Sequence, residues 1–199
     1  MIKLHLGCGW RDFGEDWIHI EGGDYPHVKH HDITKLPFED NSVDLIYNSH
    51  VFEYFDREQG AKVLKEWARV LKPDGILRIA VPDFGMMAKL YVEGKFPLHA
   101  FVGPLYGKMI MGKGGTDEDI ENTIYHKTTY DFDSLKQMLE FSGFKNAKEY
   151  DWKITPPHNQ FDDHSQAYLP GEKFVPTDEN PFDKENGYLI SLNVEATKA

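Results

Sequence analysis

Apolar and polar residues alternate from the start of the chain. Ile2-Lys3-Leu4-His5-Leu6 reads as a short strand that breaks at Gly7-Cys8-Gly9-Trp10. Residues 17–21 repeat the alternation and end on the acid Glu21, and residues 28–33 form a short third strand. Residues 43–47, Val-Asp-Leu-Ile-Tyr, make a fourth strand that ends at Asn48-Ser49-His50. The connection from Gly9 to Glu21 shows little helical periodicity, so any crossover helix there is cut to a turn or two.

The pattern then changes period. Asp56, with Gln59 three residues on, resembles a capping box, and the helix after it places Val63, Leu64, Trp67, Val70 and Leu71 on one face. A turn at residues 72–75 leads into a fifth strand over 76–81, stopped by Pro82. Apolar strands in the order β, β, β, β, α, β imply a mostly parallel sheet with helices on its faces. Beyond Asp83 the spacing of Met86, Met87, Leu90 and Tyr91 predicts a helix, and residues 94–129 fit no element. Asp133 is read as the cap of a second clear helix, closed by Gly143. Strands follow at 147–153 and 188–194. The Pro-, Asp- and His-rich stretch between them is too long for a mere connector. The expected organisation is one domain of residues 1–199 with irregular inserts at about 84–130 and 153–187.

Composition narrows the partners. Lys and Arg number 22 against 33 Asp and Glu, a formal net charge of −11. Such a surface repels phosphate backbones and anionic lipid, so neither nucleic acid nor a membrane is expected as partner. Cys8 is the single cysteine, so no intrachain disulfide can form, and with no signal-peptide pattern or bilayer-length apolar run a cytoplasmic protein is expected.

The strand that runs into Gly7-Cys8-Gly9 should leave bare backbone amides at the carboxyl edge of a sheet, where cofactors dock in open α/β folds. Two glycines in a turn are also ordinary loop chemistry. A dinucleotide fingerprint needs a third glycine where Asp12 stands, which counts against a nicotinamide or flavin cofactor. Glu21 is placed to hold both hydroxyls of a ribose. Asp32 with Ile33 suits an adenine, the acid accepting from the exocyclic amine and the apolar side chain packing on the ring, although Asp before a loop is commonly a turn residue.

Leu4-His5-Leu6-Gly7-Cys8-Gly9, Ile18-His19-Ile20-Glu21, His31-Asp32-Ile33 with Leu36-Pro37-Phe38, residues 43–54 and Leu71-Lys72-Pro73-Asp74-Gly75 follow one another in an order that resembles the Rossmann-like (class I) S-adenosylmethionine-dependent methyltransferases. The stretch from His126 and Lys127 to Gly143 and Phe144 is similar to the segment before the final hairpin in the small-molecule branch. The resemblance implies an α/β, Rossmann-like three-layer sandwich with about seven strands, the last antiparallel. It implies S-adenosyl-L-methionine as cofactor and S-adenosyl-L-homocysteine as product. Gly7 and Gly9 would approach the methionine moiety, Glu21 the ribose, Asp32 and Ile33 the adenine, and Asn48 would sit under the sulfonium. The chain departs from the family at His5, where an acid is common, in its truncated first helix, and at Tyr54, where many members have histidine.

The expected reaction is methyl transfer to an oxygen, nitrogen or carbon of a small-molecule acceptor, by a monomer or homodimer. His50, Glu53, Tyr54, Tyr125 and His126 are candidates for the acceptor pocket. His126 and then His50 are the candidate general bases, since an imidazole titrates near neutrality. A non-catalytic S-adenosylmethionine-binding module and an aminopropyltransferase of the spermidine-synthase type remain alternatives. Residues 107–114 mimic a phosphate-binding loop, but Gly114 replaces the Ser or Thr that would hold magnesium, and a mobile lid suits them better. His158, Asp162, Asp163 and His164 match no metal-ligand spacing and read as a polar surface loop, so no metal is expected.

Overall fold

The computed structural model describes residues 1–110, 123–161, 163–177, 180 and 182–199. The elements run β1 (Lys3–Leu6), β2 (Ile18–Ile20), β3 (Val28–His30), β4 (Val43–Ser49), α1 (Arg57–Val70), β5 (Leu71–Pro82), α2 (Phe84–Val92) and α3 (His99–Tyr106). They continue with β6 (Met109–Ile110), β7 (Thr123–Ile124), α4 (Phe132–Phe141), β8 (Phe144–Glu149), β9 (Tyr168–Leu169), β10 (Tyr188–Leu189) and β11 (Ser191–Lys198). Seven strands form the central sheet in the order β3-β2-β1-β4-β5-β11-β8. The strands β1 to β5 pair in parallel, while β11 runs antiparallel to both β5 and β8. This is the mostly parallel sheet with an antiparallel last strand that the sequence led us to expect.

The clearest helix forms where its signals were densest. Asp56 accepts from the Gln59 amide while the Gln59 side chain returns to the Asp56 amide, and Val63, Leu64, Trp67 and Val70 are buried. Other boundaries move. The turn at 72–75 lies inside β5, because Val43 pairs with Leu71 and Leu45 with Ile76, so the intervening residues bulge out, with Asp74 at φ 58°. The cap of α4 is Asp131 rather than Asp133, its carboxylate bonded to the Ser134 amide in a second capping box. The strand expected at 147–153 starts earlier, as β8. The expected last strand splits at Ile190: β10 pairs with β9 of the insert, and β11 alone joins the sheet. No helix lies between β1 and β2.

Strict alternation gives the sheet two unlike faces. On one, Ile18, Leu4, Ile46, Leu77 and Ala196 lie side by side across the strands, and Ile20, Leu6, Asn48, Ile79 and Val194 form the next row. These rows pack beneath Val63, Leu64 and Trp67 of α1 and Leu135 and Leu139 of α4. On the other face the row is His19, His5, Tyr47, Arg78, Glu195 and Lys148. With no first helix to cover this face, Phe13 and Trp17 of the β1–β2 connection pack there with Leu45, Tyr47 and Phe161. His158 and Asp163, expected on the surface, are buried: the His158 ring lies 4.1 Å from Tyr47, whose hydroxyl donates to Asp163 at 2.6 Å. Among the described residues no helix is long and apolar enough to cross a membrane.

Candidate active site

The strand order reverses between β1 and β4, so their carboxyl ends diverge and leave a crevice, the place where open α/β sheets bind ligands. A cavity of about 920 Å³ opens there. Gly7, Gly9, Glu21, Asp32, Ile33 and His50 all line it, drawn from the ends of β1 to β4.

The glycine turn is sterically determined. Gly7 has φ +71°, and a Cβ on it would stand 2.2 Å from Val51 Cγ2. Gly9, at φ +57°, has open space where a side chain would go, which bares its backbone to the cavity. Its amide is not bare, however: it donates to Glu21 Oε2 at 2.9 Å, and the Gly23 amide donates to Oε1 at 3.2 Å. Each carboxylate has about four acceptor positions, so Glu21 is anchored to the turn and still has capacity to receive hydroxyls. Cys8, at the apex, is buried, and burial followed by the Glu21 charge pushes its thiol up to about 12, which makes it an inert small residue in the turn.

Asp32 accepts from the Thr34 hydroxyl at 2.6 Å and the Thr34 amide at 2.8 Å, and these bonds hold its carboxyl below the usual range. Ile33 is positioned from behind, its carbonyl accepting from the Trp67 indole of α1 at 2.8 Å. Asn48 does not reach the cavity wall. It shares the aliphatic face with Leu6, is fully buried, and donates from Nδ2 to the Leu6 carbonyl at 3.0 Å, pinning β1 to β4. Ser49, His50 and Val51 form the wall in its place. His50 sits at φ 51°, an uncommon conformation for a side-chain-bearing residue and one that aims it across the strand ends.

His126 stands behind the wall, its ring edge-on to Tyr54 at 4.7 Å. His50 Nδ1 and His126 Nε2 lie 3.5 and 3.7 Å from one carboxylate oxygen of Glu53. Burial pushes the Glu53 carboxyl up to about 8 and lowers both imidazoles. The sequence signal for Glu53 was an acid within an apolar run, Val51-Phe52-Glu53-Tyr54-Phe55. Tyr125 is half exposed and off the wall. Both inserts, expected to build the acceptor pocket or a dimer contact, reach the cavity, through Met109 and Ile124 of β6 and β7 and through His164. The Gly112-Lys113 end of the phosphate-loop mimic and Asp162 of the metal-capable loop lie outside the described residues.

The Gly7 amide, like that of Gly9, is taken: it donates to the Ile20 carbonyl at 2.8 Å, so the expected bare amides are both occupied. A Gly-x-Gly turn at a switch point, an acid after β2 and an acid with an apolar neighbour after β3 together fit an adenosyl amino acid, and the cavity volume suits one with a small second ligand. Comparisons with known proteins agree. Residues 14–79 match the family described as a methyltransferase domain. A demethylmenaquinone methyltransferase of Staphylococcus haemolyticus is 34% identical over 131 residues, 61% of this chain and 49% of that protein. In these matches the chain is similar to S-adenosylmethionine-dependent methyltransferases. It spans about half the length of the curated relatives it matches. At the level of fold, an S-adenosylmethionine-dependent methyltransferase from Methanosarcina mazei superposes with a TM-score of 0.53 at 18% identity, covering 98% of this chain and 91% of that one. The 1,6-didemethyltoxoflavin-N1-methyltransferase of Burkholderia thailandensis, solved with S-adenosylhomocysteine and its acceptor, gives 0.51 at 11% identity, over 100% of this chain and 71% of its own. Phe13 and Trp17 of the β1–β2 connection occupy the side of the sheet where the expected short first helix would lie.

Proposed function

We propose that this protein transfers a methyl group from S-adenosyl-L-methionine to a small-molecule acceptor and releases S-adenosyl-L-homocysteine. The observation that carries the reading is the single cavity in which Gly7, Gly9, Glu21, Asp32 and Ile33 meet His50 and residues from both inserts. The cofactor supplies a methyl carbon bound to a cationic sulfonium, so the protein's work is alignment and exclusion of water. Glu21 would receive the ribose hydroxyls, Asp32 and Ile33 the adenine, and Gly7 and Gly9 the amino-acid end. Asn48 would act from beneath, by holding β1 and β4 in register. His50 on the wall and His126 behind it would handle a proton where the acceptor has one to lose.

The names of the similar proteins carry small acceptors, demethylmenaquinone and 1,6-didemethyltoxoflavin, and we read the acceptor here as of that size. The acids on the described cavity wall are Glu21 and Asp32, both at the nucleoside end, which disfavours an aminopropyltransferase that must cradle a polyamine. We read the chain as one domain, acting in the cytoplasm as a monomer or homodimer; its acidic charge disfavours nucleic acid and membrane as partners.

Calorimetric titration with S-adenosylhomocysteine tests the reading. Wild type should bind, and Glu21→Ala should bind at least about ten-fold more weakly, a difference of roughly 1.4 kcal/mol. No binding by wild type would overturn the assignment, and equal binding by both would remove Glu21 from the site.

A further inference from the structure

Glu53 is fully buried, and neither of its carboxylate oxygens has a hydrogen-bond partner among the described residues. A buried, unpaired carboxylate is among the costliest groups a fold can carry, so its surroundings must supply a proton or a cation. What they supply is two imidazoles. His50 Nδ1 at 3.5 Å and His126 Nε2 at 3.7 Å converge on the same oxygen, Oε1.

The far nitrogens of these rings restrict the protonation states. His126 Nδ1 lies 2.9 Å from the Pro104 carbonyl oxygen, which can only accept, so Nδ1 carries a hydrogen. In a neutral ring Nε2 is then a lone pair aimed at Glu53. His50 Nε2 lies 2.9 Å from Ser191 Oγ, a group that can donate or accept, so this ring can switch tautomer. An ionised Glu53 facing the His126 lone pair would set two acceptors against each other. The arrangement closes when one proton is shared, on the carboxyl or on a ring.

The Glu53 main-chain amide acts against burial and lowers the carboxyl, but burial outweighs it. The Tyr54 ring meets His126 edge-on, and the amides of Lys127 and Thr128 donate to the main-chain carbonyl of Glu53, not to its carboxylate. Tyr130 feels the Glu53 charge, with Arg57 acting on that phenol, and His164 and Arg11 act on His50 from the cavity side. The ring of His164 is 5.5 Å from that of His50.

We propose that Glu53, His50 and His126 form a cluster holding one shared proton at neutral pH, and that it accepts the proton which a protic acceptor sheds on methylation. The proposal rests on the methyltransferase reading above. Glu53 is the positioning residue: it sets the charge and tautomer of both rings, while His50 alone of the three lies on the cavity wall. As the acceptor atom bonds to the methyl carbon, the carbon–sulfur bond breaks with its electron pair passing to sulfur. The acceptor's proton enters at His50 Nε2, on the side of Ser191 Oγ, while His50 Nδ1 passes its own proton to Glu53 Oε1. The receptive form of the cluster is the deprotonated one, so turnover rises with pH. The acceptor class is therefore one with a proton to lose at the reacting atom: a hydroxyl, a protonated amine or an acidic carbon.

The test needs no acceptor. Protein labelled with ¹³C at glutamate and ¹⁵N at histidine is titrated by NMR from about pH 5 to pH 10. The Glu53 carboxyl carbon should titrate near 8, far above its ordinary range, and the His50 and His126 nitrogens should move in the same step. Glu53→Gln, isosteric and unable to ionise, should remove that step from both rings while affinity for S-adenosylhomocysteine stays within about two-fold. Glu53→Asp should restore a step at a shifted pH. A Glu53 signal in the ordinary carboxylate range, or ring nitrogens unchanged in Glu53→Gln, overturns the proposal. If Glu53→Gln does not fold, the wild-type titration decides alone. Failure of the methyltransferase reading would show separately, as absence of S-adenosylhomocysteine binding by wild type with the shared step intact.

Discussion

The two faces of the central sheet are built on different rules. One carries aliphatic rows beneath α1 and α4, and its cohesion is non-directional burial that several shapes of similar volume could supply. The other carries the row from His19 through His5, Tyr47 and Arg78 to Glu195, and each of those groups must be met individually. Arg78 pairs with Glu195 at 2.9 Å and donates to the Pro156 carbonyl at 2.7 Å, Tyr47 donates to Asp163, and Asn193 donates to the Ser165 carbonyl at 2.9 Å. The loop across residues 150–166 supplies the Pro156 and Ser165 carbonyls and the Asp163 carboxylate to that set. The same loop runs on to His164 on the cavity wall. The aliphatic face thus supplies bulk stability, and the polar face positions the loop that brings His164 to the cavity.

That contrast breaks most visibly at Trp67. Its ring is fully buried and its indole holds the Ile33 carbonyl. Trp67→Ala should cost about 3–5 kcal/mol in urea unfolding. A loss under about 1 kcal/mol, the range of a surface change, would mean that the helix-covered face does not dominate stability.

A smaller, local effect is expected from Tyr47→Phe. It removes the 2.6 Å bond and leaves a buried Asp163 oxygen short of a donor, at a cost of about 1–3 kcal/mol. Hydrogen exchange should show the loss in residues 150–166 with α1 still protected. Equal loss in both regions would erase the distinction between the faces.

The last effect, one of pH, is the smallest per pH unit. Burial, and then the Arg78 guanidinium 3.3 Å away, lowers His158 to about 3. Between about pH 6.5 and 3 the unfolded chain binds a proton at this ring that the folded one refuses, so the contribution of His158 weakens stability as pH falls. His158→Gln should flatten the slope of unfolding free energy in that window by up to about 1.4 kcal/mol per pH unit. An unchanged slope would show that the ring is not held neutral by its setting. Glu53 contributes with the opposite sense, since its raised carboxyl makes the folded state bind the extra proton between about 4.5 and 8 and lose stability as pH rises there.

Much of this was legible in one dimension. The capping box at Asp56 and Gln59, the apolar face of α1, the succession of the first five strands along the chain and the glycine turn are all local patterns, because hydrogen bonds and burial within an element repeat at its own period. Glu21, Asp32 and Ile33 were legible for a related reason: each follows a strand, and parallel strands bring their ends to one edge of the sheet. Asn48 misled because the strand lasts through Ser49, two residues beyond its predicted end. Its side chain is thereby committed to the aliphatic face.

What only the tertiary structure decided involves partners distant in sequence. The loop across residues 150–166 looks polar and solvent-facing in sequence, yet the missing first helix leaves a half-bare sheet face that His158, Phe161 and Asp163 turn inward to cover. The meeting of Glu53 with His50 and His126 likewise depends on packing between the end of β4 and the segment before α4. Sequence determines which residues can be buried and at what period. It cannot show which buried polar groups will face one another, because that requires the coordinates of both.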